Sequence, residues 1–469
     1  MPDLSWKETR PGRWERPQSC LEKINLINRN VAKAPDRDNW AKTAVVKLEF
    51  STSLGDPEAA LRSAWKQVRY NYPEMAAFPY DDQVALWVAA TFSVCPNTTV
   101  DELFGHIPRN EQMMCYYLPD TSEVLVRSPH YRLDARGAVF CLNYLIESLA
   151  NLDPVLIFGG CAKNLSPSID SALNIPYEYT PTIERAAMRR LAALKPRNPP
   201  LELSPTIMSH SPGATRRRFI KLSVSESQAV MTGCASGDMD LTAALHAALV
   251  ATVAKLAPPS ELCSFMASFH CDLRFLISEP VTTKWAPTSC TSVVTSEVDV
   301  SPSTTFKDIY TQLASVYASG YGPYWASTAC FHEQLAKVLA SKDPDYSDDR
   351  AAPRFGPLGD IDEQLKKDVT NGLIRVKDFW LGGETLTKRK IVHSWIWERQ
   401  IHFSCCYNES FWEDEFVEGF LEQIRDVLLE EVALREERAP TMNIASSARG
   451  RPASFPLLFP SITNTVYKK

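Results

Sequence analysis

Of this chain's 469 residues, a histidine and an aspartate four apart are the best placed to do chemistry: His130 and Asp134, in "SPHYRLDARG" (128–137). Histidine has an ordinary pKa near neutrality, so its ring can take a proton from a hydroxyl or an amine. A base also needs a fixed ring. A short Asp in the following turn can tie that turn together by accepting backbone N–H groups. The same string also reads as an ordinary turn with an Asx-type bond ahead of a helix, and Gly137 fits either reading. In a chain with eight histidines, one H-x-x-x-D string arising by chance is an even bet. The spacing alone therefore decides little.

The other histidines do not compete. His246, inside "TAALHAALV", reads as a core residue satisfied by one partner. His332 belongs on a helix face, and His270, His393 and His402 fall in strands. His106 falls in a Gly/Pro loop and His210 in a linker. No two stand at i, i+4 or flank a Glu, so no metal centre is expected. The 12 cysteines show no CxxC pair and are expected as free, mostly buried thiols.

These residues must be held by regular elements. "EVLVRS" (123–128) is a strand that delivers His130 to its end, and "GAVFCLNYLIESLA" (137–150) is a helix with an apolar stripe. Strand-end loops suit catalytic groups, because a rigid element aims them into a cleft. Upstream, "AVVKLEFS" (44–51) reads as a strand. Asp56 and Pro57 cap a helix that Pro73 stops, and "VALWVA" (84–89) reads as another strand. Residues 1–40 form an arm with little regular structure, and 41–190 the first domain. A Pro-rich crossover around "TIERAAMRRLAAL" leads through 191–215 to a second domain, 216–437. There "RRFIKLSVS" is a strand, Ser225 and Gln228 form a capping box, and 241–256 is an apolar helix. Strand "LCSFMASFHCDLR", strand "SVVTSEVDV" and helix "TFKDIYTQLASVYASG" follow. "HSWIWERQIHFSCCYN" is two strands or one long one, before a last helix from "EDEF". Residues 438–469 read as a disordered tail. The class is α/β, two domains of similar layout with helices packed on mixed sheets.

Composition narrows the function classes. Net charge is −6, and the basic clusters are short: Arg216-Arg217-Arg218 and Lys388-Arg389-Lys390. Each is either solvated surface or a docking point for an anionic ligand; neither makes a nucleic-acid face. No apolar run reaches the ~18 residues of a membrane span, and the polar start of the chain is not a signal peptide. A cytoplasmic protein is expected.

At this point the sequence resembles the HxxxD acyltransferase superfamily. It includes the plant BAHD enzymes, peptide-synthetase condensation domains, chloramphenicol acetyltransferase and carnitine acyltransferases. Within it the resemblance is to fungal O-acyltransferases similar to trichothecene 15-O-acetyltransferase. Four stretches carry it, in order: "ALRSAWKQVRYNYPEMAA", "SPHYRLDARGAVFCLN", "FHCDLR" (269–274) and "KDFWLGGETL", with "PRFGPLGDIDEQL" as a fifth. Together they span roughly residues 40 to 435. The resemblance implies two chloramphenicol-acetyltransferase-like domains with a central tunnel at their interface. Acyl-CoA, as co-substrate rather than bound cofactor, would meet a hydroxylated secondary metabolite there. His130 would act as general base in a ternary complex, without a covalent intermediate. Asp134 would point away from the substrates and pair with Arg274, while Asp378 would support the domain interface. A monomer is expected. Two features depart from the family pattern. Ala135 stands where the family carries Gly, and the D-F-G-W-G segment reads Asp378-Phe379-Trp380-Leu381-Gly382. The oxyanion donor is therefore unassigned. Two other readings compete: a cyclase reusing the tunnel without CoA, and a non-catalytic ligand-binding module.

Overall fold

The structure is a computed structural model that describes residues 2–29, 36–76, 84–277 apart from 154, 157 and 159, 285–340, and 351–433 apart from 370 and 371. The tail expected at 438–469 lies outside the described residues.

The chain opens with a hairpin, β1 (Lys7–Arg10) and β2 (Arg13–Glu15), then helix α1 (Cys20–Asn28). The arm is therefore more regular than its Pro- and Arg-rich composition suggests. A local signal explains the helix. Ser19 Oγ accepts from Glu22 N, while the Glu22 carboxylate accepts from Ser19 N. Cys20 and Leu21 are buried in the core of the C-terminal half, so the arm straps the two halves together.

The N-terminal half runs β3 (Lys42–Phe50), α2 (Pro57–Asn71), α3 (Val84–Thr91), β4 (Phe92–Val94), α4 (Val100–His106), β5 (Met114–Leu118), β6 (Glu123–Ser128) and α5 (Ala135–Ala150). Asp56 caps α2 with Pro57 at its first position. The stretch at 84–89 is a helix, not a strand. Its buried residues, Val84, Trp87, Val88 and Thr91, repeat at helical spacing. Trp87 stacks on Trp65 of α2 at 5.5 Å, and Thr91 Oγ1 accepts from the Trp65 indole. Here burial against α2 outweighs the β propensity of Val and Trp. His106 ends α4 rather than sitting in a loop, because Thr99 and Glu102 form a capping box.

The crossover holds α6 (Ile169–Ala172) and α7 (Pro181–Ala192). The C-terminal half follows with β7 (Thr215–Lys221), α8 (Val224–Ser236), α9 (Leu241–Leu256), β8 (Cys263–Asp272), β9 (Thr291–Val300), α10 (Phe306–Ser319) and α11 (Thr328–Ala340). It ends with β10 (Arg354–Asp360), β11 (Ile374–Gly383), β12 (Ile391–Trp397), β13 (Gln400–Asn408) and α12 (Asp414–Leu428). The capping box of α8 is Ser223 with Glu226, two residues earlier than expected from Ser225 and Gln228; Gln228 instead bonds Thr232. "HSWIWERQIHFSCCYN" is two strands. Glu398 and Arg399 turn the chain with φ of 51° and 62°, the handedness a tight hairpin needs.

Strand order shows how the halves interlock. The N-terminal sheet is β11-β3-β6-β5-β4. Its edge strand β11 comes from the far half of the sequence and sets Gly383 opposite Lys42. On the other side of β3, Lys42 faces Ser128 at the end of β6. The second sheet is β10-β12-β13-β7, and β8 pairs with β9 as a ribbon. No single helix among the described residues is long and apolar enough to cross a membrane.

Candidate active site

Strand β6 ends at Ser128 and α5 begins at Ala135. The six residues between them hold His130 and Asp134. Pro129 O accepts from Arg132 N and Leu133 N, closing a compact turn. Asp134 is the N-cap of α5, and its Oδ1 accepts from Gly137 N at 2.7 Å. A Cβ on residue 137 would stand 2.6 Å from Thr288 O, so this position has room only for glycine. Ala135 opens α5 in ordinary helical geometry. The turn therefore has no need of a glycine there.

Asp134 is buried and has five donors. Arg274 grips it bidentately, Nη1 to Oδ2 at 2.9 Å and Nη2 to Oδ1 at 3.0 Å. Cys290 N and Thr291 Oγ1 each donate to Oδ2 at 2.7 Å, and Gly137 N is the fifth. Burial pushes the carboxyl pKa up, but Arg274 and the other donors outweigh it and hold the pKa near 2. Arg274 Nη2 also donates to Thr288 O at 2.7 Å. The pair thus ties the His130 turn to the loop before β9, and the Asp134 carboxylate is spent on this bracing.

His130 is only partly buried, and it lines a cavity of about 270 Å³ between the two halves. Its Nδ1 bonds Leu133 O at 3.1 Å. The acceptor is a carbonyl, so Nδ1 carries the proton and Nε2 is the free nitrogen. Burial, then the charge of Lys42, holds the ring pKa down to about 3, against smaller upward pulls from Leu133 O and Asp134. The ring is neutral at neutral pH, the state a base must start from.

The cavity wall holds residues to which sequence reading gave no role. Lys42 from β3, His270 from β8, Arg354 from β10 and His393 from β12 all line it. Trp40 does too, with its ring edge-on to His130 at 6.5 Å and beneath the Arg354 guanidinium at 4.1 Å. Trp40 has φ 68°, a strained state for a bulky residue that persists only where the surroundings impose it. One signal was available: His393, in "IVHSWIW", is a titratable residue in a strand otherwise made of apolar residues and one serine. It does not reveal that four strands from both halves converge on one point.

The remaining candidates lie elsewhere. Asp378 stands on the exposed face of β11 at a register shift, its carboxylate accepting from Phe379 N, and it does not reach the cavity. Trp380 is buried against Phe104 and the Arg217 guanidinium. Residues of both basic clusters are engaged within the fold. Arg216 pairs with Glu409, and Arg218 with Asp414 and Glu418. Lys390 lies buried over the Trp412 ring. His246 is a core residue, its Nδ1 on Tyr317 Oη.

One consequence is a pH dependence of stability. Burial holds the pKa of His130, His246 and His332 near 3, that of His402 near 4, and those of His270 and His393 lower than usual. Below the ordinary value of about 6.5 the unfolded chain takes up protons that the native state refuses. Stability is therefore complete above that pH and is lost as pH falls, by up to about 1.4 kcal/mol per histidine per pH unit. Asp134 acts in a lower window, between the ordinary aspartate value of 3.8 and about 2. Thermal melts should show Tm falling steeply from pH 6.5 to 5; a flat profile would contradict this account.

No protein-family model matches the chain. The acetyltransferase pigO of Monascus ruber is 26% identical over 463 residues, covering 93% of this chain and all of that protein. The O-acetyltransferase pigM of the same fungus is 25% identical over 454 residues, covering 92% of this chain and 88% of its own length. The trichothecene 15-O-acetyltransferase structure from Fusarium sporotrichioides superposes with a TM-score of 0.76 at 15% identity, over 92% of this chain and 98% of that one. End to end, the chain is thus similar to two fungal acetyltransferases, and its two interlocked α/β halves have the fold of the trichothecene 15-O-acetyltransferase structure.

Proposed function

We propose that the protein transfers an acyl group, acetyl first among them, from acyl-CoA to a hydroxyl of a fungal secondary metabolite, with His130 as general base. One observation carries this reading: a neutral His130 with Nδ1 anchored on Leu133 O and Nε2 free, beside a cavity lined from both halves. The acceptor hydroxyl gives its proton to Nε2 as its oxygen attacks the thioester carbonyl. The tetrahedral intermediate collapses, the C–S bond breaks, and the departing thiolate takes the proton back from His130 as free CoA. No covalent enzyme intermediate is needed, and catalysis rests on positioning and base assistance. The names of pigO and pigM support acetyl as the donor group, and that of the Fusarium enzyme supports a terpenoid alcohol among the acceptors. The 12 free cysteines support a reducing, cytoplasmic setting. We take the working form to be a monomer.

The test is to incubate the protein with acetyl-CoA and a panel of hydroxylated terpenoids, polyketides and alkaloids, following free thiol and product mass. Acceptor-dependent CoA release with a mass gain of one acetyl group is expected. An ordered protein that neither binds acetyl-CoA nor releases CoA with any acceptor would overturn the reading.

A further inference from the structure

The cavity beside His130 contains a cation without a counter-ion. Lys42 is buried, and among the described residues no carboxylate pairs with its ammonium and no side chain accepts from it. Burying an unpaired ammonium is unfavourable, and burial lowers its pKa to about 8. At neutral pH it is still mostly protonated. It lines the same cavity as His130, His270 and His393, and its charge depresses all three.

The placement is built by the sheet. Lys42 is the first residue of β3, with Ser128 of β6 on one side and Gly383 of β11 on the other. Its Nζ comes within 3.5 Å of the point where a Cβ on Gly383 would stand, and His393 Cε1 within 3.8 Å of the same point. His393 is 2% exposed, and its Nδ1 has no hydrogen-bond partner among the described residues. Lys42 and His393, from different halves, thus come together in the wall that holds His130, and among the described residues neither the Lys42 ammonium nor His393 Nδ1 has an acceptor. The carboxylates that line the cavity are engaged elsewhere: Asp134 with Arg274, and Asp272 with Arg136 and Arg274. The site therefore lacks an anionic oxygen.

We propose that Lys42 is the oxyanion donor of this active site, with His393 beside it, and that it receives the thioester carbonyl oxygen as the acceptor attacks. This deepens the acyl-transfer reading and rests on it. As the new C–O bond forms, the carbonyl π pair moves onto oxygen and the acceptor proton moves to His130 Nε2. Lys42 then faces a negative oxygen, which also offsets its repulsion of the imidazolium forming on His130. On collapse the oxygen pair re-forms the carbonyl, the C–S bond breaks, and the thiolate takes the His130 proton. A fixed charge in a water-poor site needs no reorganisation at that moment, and losing one such donor costs roughly 10²–10³-fold in rate.

The experiment uses the full chain and carbonyl-¹³C acetyl-CoA, with the carbonyl stretch of the bound thioester read by difference infrared spectroscopy. The stretch should lie below that of free thioester in wild type, return to the free position in Lys42→Met, and stay partly lowered in Lys42→Arg. Methionine has a similar shape and removes an unpaired buried charge, so Lys42→Met should melt no lower than wild type. With an acceptor from the panel, kcat should fall roughly 10²–10³-fold while KM for acetyl-CoA stays within a few-fold. Equal carbonyl frequencies in wild type and Lys42→Met, with acetyl-CoA bound to both, overturn the Lys42 assignment and leave the transferase reading standing. If Lys42→Met weakens only malonyl-CoA binding, Lys42 reads a substrate carboxylate and the oxyanion role is lost. If wild type does not bind acetyl-CoA, both fail together.

Discussion

His130→Ala should reduce acceptor-dependent CoA release by roughly 10²–10⁴-fold, with acetyl-CoA affinity and Tm close to wild type. The argument is local. Among the described residues, the ring's hydrogen bond runs to Leu133 O within its own turn. The turn is braced through Asp134, which accepts from Arg274, Cys290, Thr291 and Gly137. Removing the imidazole therefore takes away the proton acceptor and leaves the bracing intact. Calorimetry with acetyl-CoA and single-turnover thiol release separate the two effects. Wild-type turnover in the variant would end the general-base role, whatever the fate of the transferase reading. A second consequence concerns pH. Because burial and Lys42 keep His130 neutral well below the usual imidazole range, the acid limb of kcat/KM should not show an apparent pKa near 6.5.

The Arg274–Asp134 pair should dominate stability. Arg274→Ala leaves a buried carboxylate facing only Gly137 N, Cys290 N and Thr291 Oγ1, and frees the Thr288 carbonyl as well. Breaking one side of a buried pair costs about 3–5 kcal/mol, so a large drop in Tm and poor soluble yield are expected. Asp134→Asn should be damaging for a different reason. Both carboxylate oxygens accept from at least two donors, whereas an amide turns two N–H groups toward donors on one side. Arg274→Lys restores the charge but not the fork, so it should recover only part of the lost Tm. The telling comparison is kinetic. If bracing is all the pair does, whatever folded Asp134→Asn remains should show lowered kcat and an unchanged KM for acetyl-CoA. Tm unchanged in Arg274→Ala would show that the contact does not hold the turn.

Much of this is legible in the sequence, and the reason is periodicity. Helix α9 and strand β6 have the residue limits read from apolar spacing and β-branched content. Asp56 with Pro57 announced α2. Where the local pattern was short, tertiary packing won. Val84–Thr91 is a helix because Trp87 stacks on Trp65, a contact between residues 22 apart in sequence. The α8 capping box slipped by two residues because two Ser/acid-or-amide pairs offered the same signal and only Ser223–Glu226 stands at the helix start.

By itself the sequence determined the α/β class and the strand–turn–helix that carries His130, because both are written in nearest neighbours; the pairing of Asp134 with Arg274 came from the family resemblance. Only the tertiary structure decided that Asp378 faces solvent and that Trp380 is buried against Arg217. It also decided that β11 crosses into the other sheet to set Gly383 beside Lys42. The composition of the cavity wall was settled at that level too. Lys42, His270, Arg354 and His393 are separated by up to 351 positions and meet only because strands from both halves end at one seam. Nothing local marks such a convergence, since each residue alone is an ordinary basic side chain near a strand end. Their shared meaning comes from lining one cavity, next to a histidine kept neutral.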